Sequence, residues 1–576
     1  MTTKAYRIGL DIGGTFTDLI LADERTHRIS LHKCLTTPHD PSIGAFEGLV
    51  DLIRQAGIGL GDVDEIVHGT TLVTNTIIER TGVKLGLLTT HGFRDVLEMG
   101  TEQRYDIYDL FLRFPDPLVP RRYRLEIPER IDRDGRTIVP IDLDAVQRAA
   151  ALLTDEGIEA LAVSFLHSYR NPAHEQAVRT SIEKEFPALF VSLSSDVAAE
   201  LREYPRTVTT CANAYVQPSM DRYLARLERE LARQGFRGHL RLMHSAGGLI
   251  SPAAARKFPI RLLESGPAGG GLAAALFGKR AGQDGAISFD MGGTTAKACL
   301  VEGGRIDVGS TMEAARVHRF KRGSGLPIRT PVVDMIEVGA GGGSIAGPNE
   351  VGLLSVGPRS AGADPGPACY GRGGTLPTVT DANLVLGLYD PEFFLGGRMA
   401  LDRRAALTAV GALGGKIGLS AVETAAGIHK VVAETMAAAV RIHLVEKGKD
   451  PRRYALIGFG GAGPAHAAGV ARILGIREVI VPPASGAASC LGFLAAPLSF
   501  ERARSHPIRL ADGCDTATID RILNELEEEG RGLLAEAGVA ADDMTVERTA
   551  DMRLVGQMHE INVPLPAGTI AAAALE

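Results

Sequence analysis

Asp11 and Asp290 each end an apolar run and are followed, one residue later, by a Gly-Gly-Thr turn: Asp11-Ile-Gly13-Gly14-Thr15 and Asp290-Met-Gly292-Gly293-Thr294-Thr295. Backbone N–H groups of such a turn point into a concavity that suits phosphate oxygens, and the threonine hydroxyl adds a donor. A carboxylate in that place repels phosphate if it meets it directly. Its task is to hold Mg2+ beside the phosphates through water, or to orient an attacking nucleophile. Lys297 stands in the second copy where the first has Asp18, so the copies are related without being chemically equivalent.

A third segment, Ala455-Leu-Ile-Gly-Phe-Gly460-Gly461-Ala-Gly463-Pro464, reads as a buried strand, a glycine turn and a helix that starts at Pro464. A helix N-terminus there would add its dipole to the site, and the flat turn leaves room for a ribose or a base. Alone, the pattern fits an unliganded strand-turn-helix equally well. Beside the two hairpins it reads as the nucleoside wall, with Gly460, Gly461 and Gly463 approaching the ligand. Further glycine clusters, at 247–248, 269–271, 339–343 and 371–374, are read as loops wrapping the same polyanion.

These groups need elements to carry them. Each Gly-Gly-Thr turn is flanked by two apolar runs, a strand-turn-strand pattern that occurs once in each half of the chain. Two such hairpins imply two lobes facing each other across a cleft. Between them, strands are expected at Glu65–Gly69, Lys84–Thr89 and Ala160–Leu166, with helices starting at Leu72 and running over Asp142–Gly157. That alternation favours a mixed or parallel sheet covered by helices. Asp221–Gln234 reads as an amphipathic helix, Ala421–Lys447 as a long Ala/Val-rich one, and 501–545 as a charged helical segment leading to a strand near Met552–Glu560.

Composition narrows the function. The 576 residues are 45% hydrophobic and 23% charged, with mean hydropathy +0.06, which fits neither a disordered nor a membrane-embedded chain. Acidic residues outnumber basic ones, 69 to 62, and no basic block offers a footprint for nucleic acid. Six scattered cysteines without a C-x-x-C pair, no signal-peptide core and no apolar run of about 18 residues lead to the expectation of a cytoplasmic protein with no membrane contact. Cys369 and Cys490 lack a neighbouring base and are expected to be inert. His68, His244 and His466 lie beside glycine turns without ligand spacing and are expected to be scaffold residues. The aromatics between Arg104 and Arg124 fit a pocket lining, a partner surface or a local core.

Together, I-G-x-D-I-G-G-T-F-T-D at the N-terminus, H-G-T-T at 68–71, E-S-G-P-A-G-G at 264–270, D-M-G-G-T-T-A-K at 290–297 and G-F-G-G-A-G-P at 458–464 resemble the hydantoinase A/oxoprolinase family. The segments 334–345, 364–371 and 378–383 extend the resemblance over nearly the whole chain. It implies an α/β fold of two ribonuclease-H-like, actin-like ATPase lobes around a nucleotide cleft, with a smaller C-terminal α+β region. The expected division is a first lobe over 1–200, a second over 201–500 and a C-terminal domain over 501–576, shortened because the chain stops soon after Glu560.

The resemblance further implies ATP-dependent opening of a cyclic amide such as a hydantoin or oxoproline, with a hydantoinase B-type subunit as partner in a hetero-oligomer. Asp11 and Asp290 would organise Mg2+ and phosphates. Thr15, Thr294 and Thr295 would donate to phosphate, with Gly13, Gly14, Gly292 and Gly293 forming the turns, and Lys297 would balance developing charge. Glu264 would cap the following helix or take part in metal coordination. Two other readings remain: the ATP-hydrolysing subunit of an acetone- or acetophenone-type carboxylase, and a non-catalytic ATPase switch acting on a partner. The loops at 334–344 and 364–383, read as a second glycine-lined pocket, weigh against the switch.

Overall fold

The structure is a computed structural model that describes residues 6–13, 16–37, 41–318, 321–510, 515–557 and 560–570. Strands Tyr6–Ile12 and Phe16–Asp23 form the first hairpin, and Arg28–Leu35 continues it antiparallel. Glu65–Thr70 then pairs parallel with Tyr6–Ile12 on the other side, followed by His239–Met243 and Leu249–Ile250.

The same plan recurs. Gly285–Met291 pairs antiparallel with Ala296–Glu302 and parallel with Ala455–Phe459, which pairs parallel with Val479–Ile480. A hairpin whose first strand takes a parallel partner on its free side defines the ribonuclease-H-like lobe, and the chain has two. A four-stranded parallel sheet, ordered Phe190–Leu193, Ala160–Ser164, Leu85–Thr90 and Arg124–Ile127, is inserted in the first lobe.

Period-two alternation decides which way each aspartate points. Ile8, Leu10 and Ile12 are buried in one cluster with Leu49 and Leu52 of helix Pro41–Ala56, each contributing about 1.5–3 kcal/mol of burial. Gly9 and Asp11 therefore face the opposite side. There a Cβ on Gly9 would lie 2.6 Å from the Cys490 carbonyl oxygen, so helix Ala488–Ala495 covers that face. In the second lobe Ile287, Phe289 and Met291 are buried together with Val432 and Met436 of helix Ala421–Glu446. Asp290 again takes the other face, which belongs to the core shared with helices Ser265–Arg280 and Ala488–Ala495.

These two helices join the lobes. A Cβ on Gly492 would sit 1.8 Å from the Gly269 carbonyl oxygen, so their backbones touch with no room for a side chain. The chain passes from the first lobe to the second at Glu264 and returns through Ala484, both non-glycine residues in the left-handed region, with φ of 56° and 53°.

The first sheet extends beyond the boundary expected at residue 200, through His239–Met243 and Leu249–Ile250. Strands after residue 200 complete the first sheet, and Leu249, Ala488 and Phe493 share one core. The C-terminal region holds helix Thr516–Glu536, none of whose residues is buried, and the hairpin Thr549–Met552/Ile561–Pro564. Of the strand expected at Met552–Glu560, Met552 ends the first strand of this hairpin, and Met558 and His559 lie outside the described residues. Among the described residues no single helix is long and apolar enough to cross a membrane.

Candidate active site

Both hairpins open onto one cleft of about 2260 Å³. In the first, Asp11 stands opposite Asp18, and the Gly13 N–H donates to the Phe16 carbonyl at 3.0 Å. In the second, Asp290 stands opposite Lys297, and the Gly292 N–H donates to the Thr295 carbonyl, also at 3.0 Å. The two turns thus close with the same hydrogen bond at corresponding residues. Gly13, Gly292, Gly293, Thr294 and Thr295 line the cleft with both aspartates and Lys297. Gly14 and Thr15 lie outside the described residues.

Burial pushes the Asp11 carboxyl up to about 6, against the hydrogen bond from Ser489, and the neighbouring Asp18 and Asp290 push in the same direction. Burial likewise pushes Asp290 up to about 6, against the opposing pull of Lys297. Asp18 is raised by burial as well, opposed by the Lys33 ammonium 2.5 Å from its Oδ1. Burial alone would lower Lys297, but its ion pair with Glu264, with Glu337 and Asp290 nearby, holds it above the ordinary lysine value. Costly carboxylates of this kind are what a bound cation relieves. Among the described residues no group of three metal-ligating side chains gathers. Two buried carboxylates lining one cleft fit Mg2+, which keeps several waters and binds through one or two carboxylates plus phosphate. Asp11 and Asp290 would hold it, and the turn amides would receive the phosphates.

The third glycine segment meets the site unevenly. Gly460 has φ +85°, and a Cβ there would lie 2.3 Å from Asp290 Oδ1 and 2.6 Å from the Met291 carbonyl oxygen, so this glycine is required by Asp290 itself. Gly461 lines the cleft with open space around it. Gly463 is buried as the first residue of helix Gly463–Leu474, packed near Met291, and does not line the cleft.

The run 339–343 buttresses the second turn, and Gly342 within it lines the cleft. Gly342 and Gly343 N–H groups donate to the Gly292 and Gly293 carbonyls at 3.0 and 2.6 Å, and a Cβ on Gly341 would lie 2.7 Å from Gly293. Thr380 in turn donates to the Gly342 carbonyl, and the buried Asp381 receives the Ala368, Cys369 and Thr378 amides. Clusters 247–248, 269–271 and 371–374 do not line the cleft.

Three functional groups escaped sequence reasoning in whole or part. Lys33 comes from the third strand to pair with Asp18. Ser489 donates to Asp11 Oδ2 at 2.6 Å from 478 positions away, a contact no local pattern announces. Glu264 makes no side-chain cap to its helix and pairs with Lys297 instead. His68 bonds the Leu10 carbonyl and the Tyr223 hydroxyl, His244 bonds Ser499, and His466 stacks on His429 and bonds Asn383. All three are scaffold residues held neutral by burial. Burial also pushes the Cys369 and Cys490 thiols up, which leaves them poor nucleophiles. Cys514 lies outside the described residues.

Two ribonuclease-H-like lobes with an aspartate on each facing hairpin place the molecule in the actin-like ATPase class. Within that class the chain belongs to the hydantoinase/oxoprolinase family: the family's N-terminal region matches residues 7–186 and its hydantoinase/oxoprolinase domain residues 206–502. The caprolactamase alpha subunit of Pseudomonas jessenii is 36% identical over 574 residues, covering 98% of this chain and 81% of the relative. The crystal structure of that organism's ATP-dependent caprolactamase superposes with a TM-score of 0.86, covering 99% of this chain and 83% of the other. The acetophenone carboxylase gamma subunit of Aromatoleum aromaticum is 32% identical over 593 residues, covering 96% of this chain and 77% of the relative.

Proposed function

We propose that the chain is the ATP-hydrolysing subunit of a multi-component enzyme that opens a cyclic amide, a hydantoin, oxoproline or related lactam, with a hydantoinase B-type subunit as its partner. The observation that carries this reading is the pair of buried carboxylates, Asp11 and Asp290, at corresponding positions of two corresponding hairpins on one cleft. The caprolactamase relative, similar over nearly the whole chain, supports the amide as substrate, and its status as a subunit supports a hetero-oligomer.

An amide carbonyl is a poor electrophile. ATP with Mg2+ would supply a phosphoryl group to the amide oxygen; water adding at the activated carbon would give a tetrahedral intermediate whose ring C–N bond breaks as the nitrogen takes a proton, and a second water would release inorganic phosphate from the resulting acyl phosphate. The chain's own groups prepare that transfer. Asp11 and Asp290 would hold the cation, and the Gly292–Thr295 turn would offer amide and hydroxyl donors to phosphate oxygens. Lys297, kept charged by Glu264, faces the charge that develops as the phosphoryl group moves.

The acetophenone carboxylase relative favours a second reading in which the phosphorylated species is an enol. One assay separates them: the chain is co-expressed with a B-type subunit, and ADP release is followed over lactams, hydantoins and ketones with and without bicarbonate. Lactam-stimulated turnover without bicarbonate is the expected result. A bicarbonate requirement assigns carboxylation, and ADP release that answers only to a protein partner assigns a switch.

A further inference from the structure

The return crossing from the second lobe to the first forms the floor of the cleft and touches both jaws. The Ser485 carbonyl accepts the Gly460 N–H at 2.9 Å, and Gly460 is the residue pressed against Asp290. One residue on, the Gly486 carbonyl accepts from Lys33 Nζ at 3.3 Å, and Lys33 pairs with Asp18. Ser489 Oγ then donates to Asp11 Oδ2 at 2.6 Å. Ala484, at the head of this segment, is held in the left-handed region, at φ 53° and ψ 36°, a conformation that costs a non-glycine residue on the order of 1 kcal/mol and persists where its surroundings over-determine it. Helix Ala488–Ala495 cannot slide, because Gly492 is in backbone contact with Gly269 of the other crossing helix.

We propose that Ser489 is a positioning residue for the cation site, holding Asp11 in the orientation in which its carboxylate would bind the cation. The inference rests on the ATP reading above. The hydroxyl donates to Asp11 Oδ2, and Asp11 lines the cleft together with Ser489. Gly266 of the other crossing helix lies beside the carboxylate, where an added Cβ would meet Asp11 Oδ1 at 3.4 Å. The hydrogen bond thereby favours one carboxylate orientation before ligand arrives, which is how a site avoids losing affinity to side-chain freedom.

The test is calorimetric binding of a nonhydrolysable ATP analogue, AMPPNP, to the full chain, with and without Mg2+. Ser489→Ala is expected to weaken the Mg2+-bound complex by roughly tenfold, the scale of a hydrogen bond to a charged group, while leaving metal-free nucleotide binding within about twofold of wild type. Ser489→Thr keeps the hydroxyl and is expected to restore affinity to within about threefold. Ser489→Cys keeps the volume with a weak donor and is expected to behave like the alanine variant, which guards against a packing effect. Equal loss with and without Mg2+, or no loss in either the alanine or the cysteine variant, overturns the proposal. Failure of the wild-type chain to bind AMPPNP at all overturns the ATP reading first and this inference with it.

Discussion

The two hairpins share a backbone and differ in everything that surrounds their aspartates. On the first, Asp11 faces a second carboxylate, Asp18, and the compensating ammonium arrives from the neighbouring strand as Lys33. On the second, the ammonium is in the hairpin itself as Lys297, and the carboxylate that balances it, Glu264, comes from the lobe crossing. The first aspartate is oriented by a serine hydroxyl, the second by close backbone at Gly460. Duplication has preserved the place of the charge while each jaw compensates it by a different route. The jaws are therefore expected to answer differently to the same substitution, except where the aspartates themselves are removed.

That exception has the largest expected effect. Asp11→Ala and Asp290→Ala should each lower ADP release by roughly 10³-fold, the scale of deleting a preorganised electrostatic contact to the reacting group, with a circular dichroism spectrum like that of wild type. Activity retained in either variant would break the symmetry on which the site assignment rests.

Next in size is a contrast between glycines. Gly460→Ala places a methyl 2.3 Å from Asp290 Oδ1 and 2.6 Å from a backbone oxygen, at φ +85°, and should destabilise by roughly 2–4 kcal/mol in urea titration. Gly266→Ala would bring its methyl to 3.4 Å from Asp11 Oδ1, an ordinary contact, and should cost less than about 1 kcal/mol. Equal costs would show that the two aspartates are packed alike after all.

A pH effect follows from the raised carboxyls. Asp11 and Asp290 titrate near 6 in the folded protein against 3.8 ordinarily, so the native state binds their protons more tightly than the unfolded chain does. Their contribution to stability is fully present below about pH 4 and is lost as pH rises through 6. At about 1.4 kcal/mol per pKa unit, each is worth about 2–3 kcal/mol before coupling between them reduces the sum. Asp11→Asn and Asp290→Asn should each flatten the fall in urea midpoint of the nucleotide-free protein between pH 4 and 7. An unchanged slope in both would remove the carboxylates as its source.

Much of the scaffold was legible because it obeys a local period. The strands at 65, 85, 160 and 455 and the helices starting at 72, 143, 421 and 463 stand where alternation and glycine punctuation place them. The helix read at Asp221–Gln234 in fact begins at Glu203 and runs through Pro218. Its first half is buried from Arg206 to Val216 without a break, which erases the polar face that a periodicity argument needs. Within the site, Asp11, Asp290, Lys297 and the turns were legible because chemistry and spacing coincide in a single hairpin. Lys33 and Ser489 were not, since their roles exist only across strands or across the lobe crossing. At 339–343 glycine reports close backbone approach of two kinds: Gly341, Gly342 and Gly343 press on the Gly292-Gly293 turn, and Gly342 also lines the cleft.

The smallest expected effect bears on the turns alone. Gly13 and Gly292 occupy the same place, donate the same closing hydrogen bond and have no positive φ, so conformational freedom does not distinguish them. Space does. A Cβ on Gly13 would lie 3.0 Å from the Phe16 carbonyl oxygen, the acceptor of its own bond, whereas on Gly292 the corresponding distance to Thr295 is 3.7 Å. Gly13→Ala must therefore open its turn by a few tenths of an ångström and should cost up to about 1 kcal/mol, while Gly292→Ala should stay within about 0.5 kcal/mol. The second turn is also held from outside by Gly342 and Gly343, which gives it no freedom to relax and no need to. If the order of the two costs were reversed, the first jaw would be the more accommodating of the two, and the buttress would be a source of strain rather than of order.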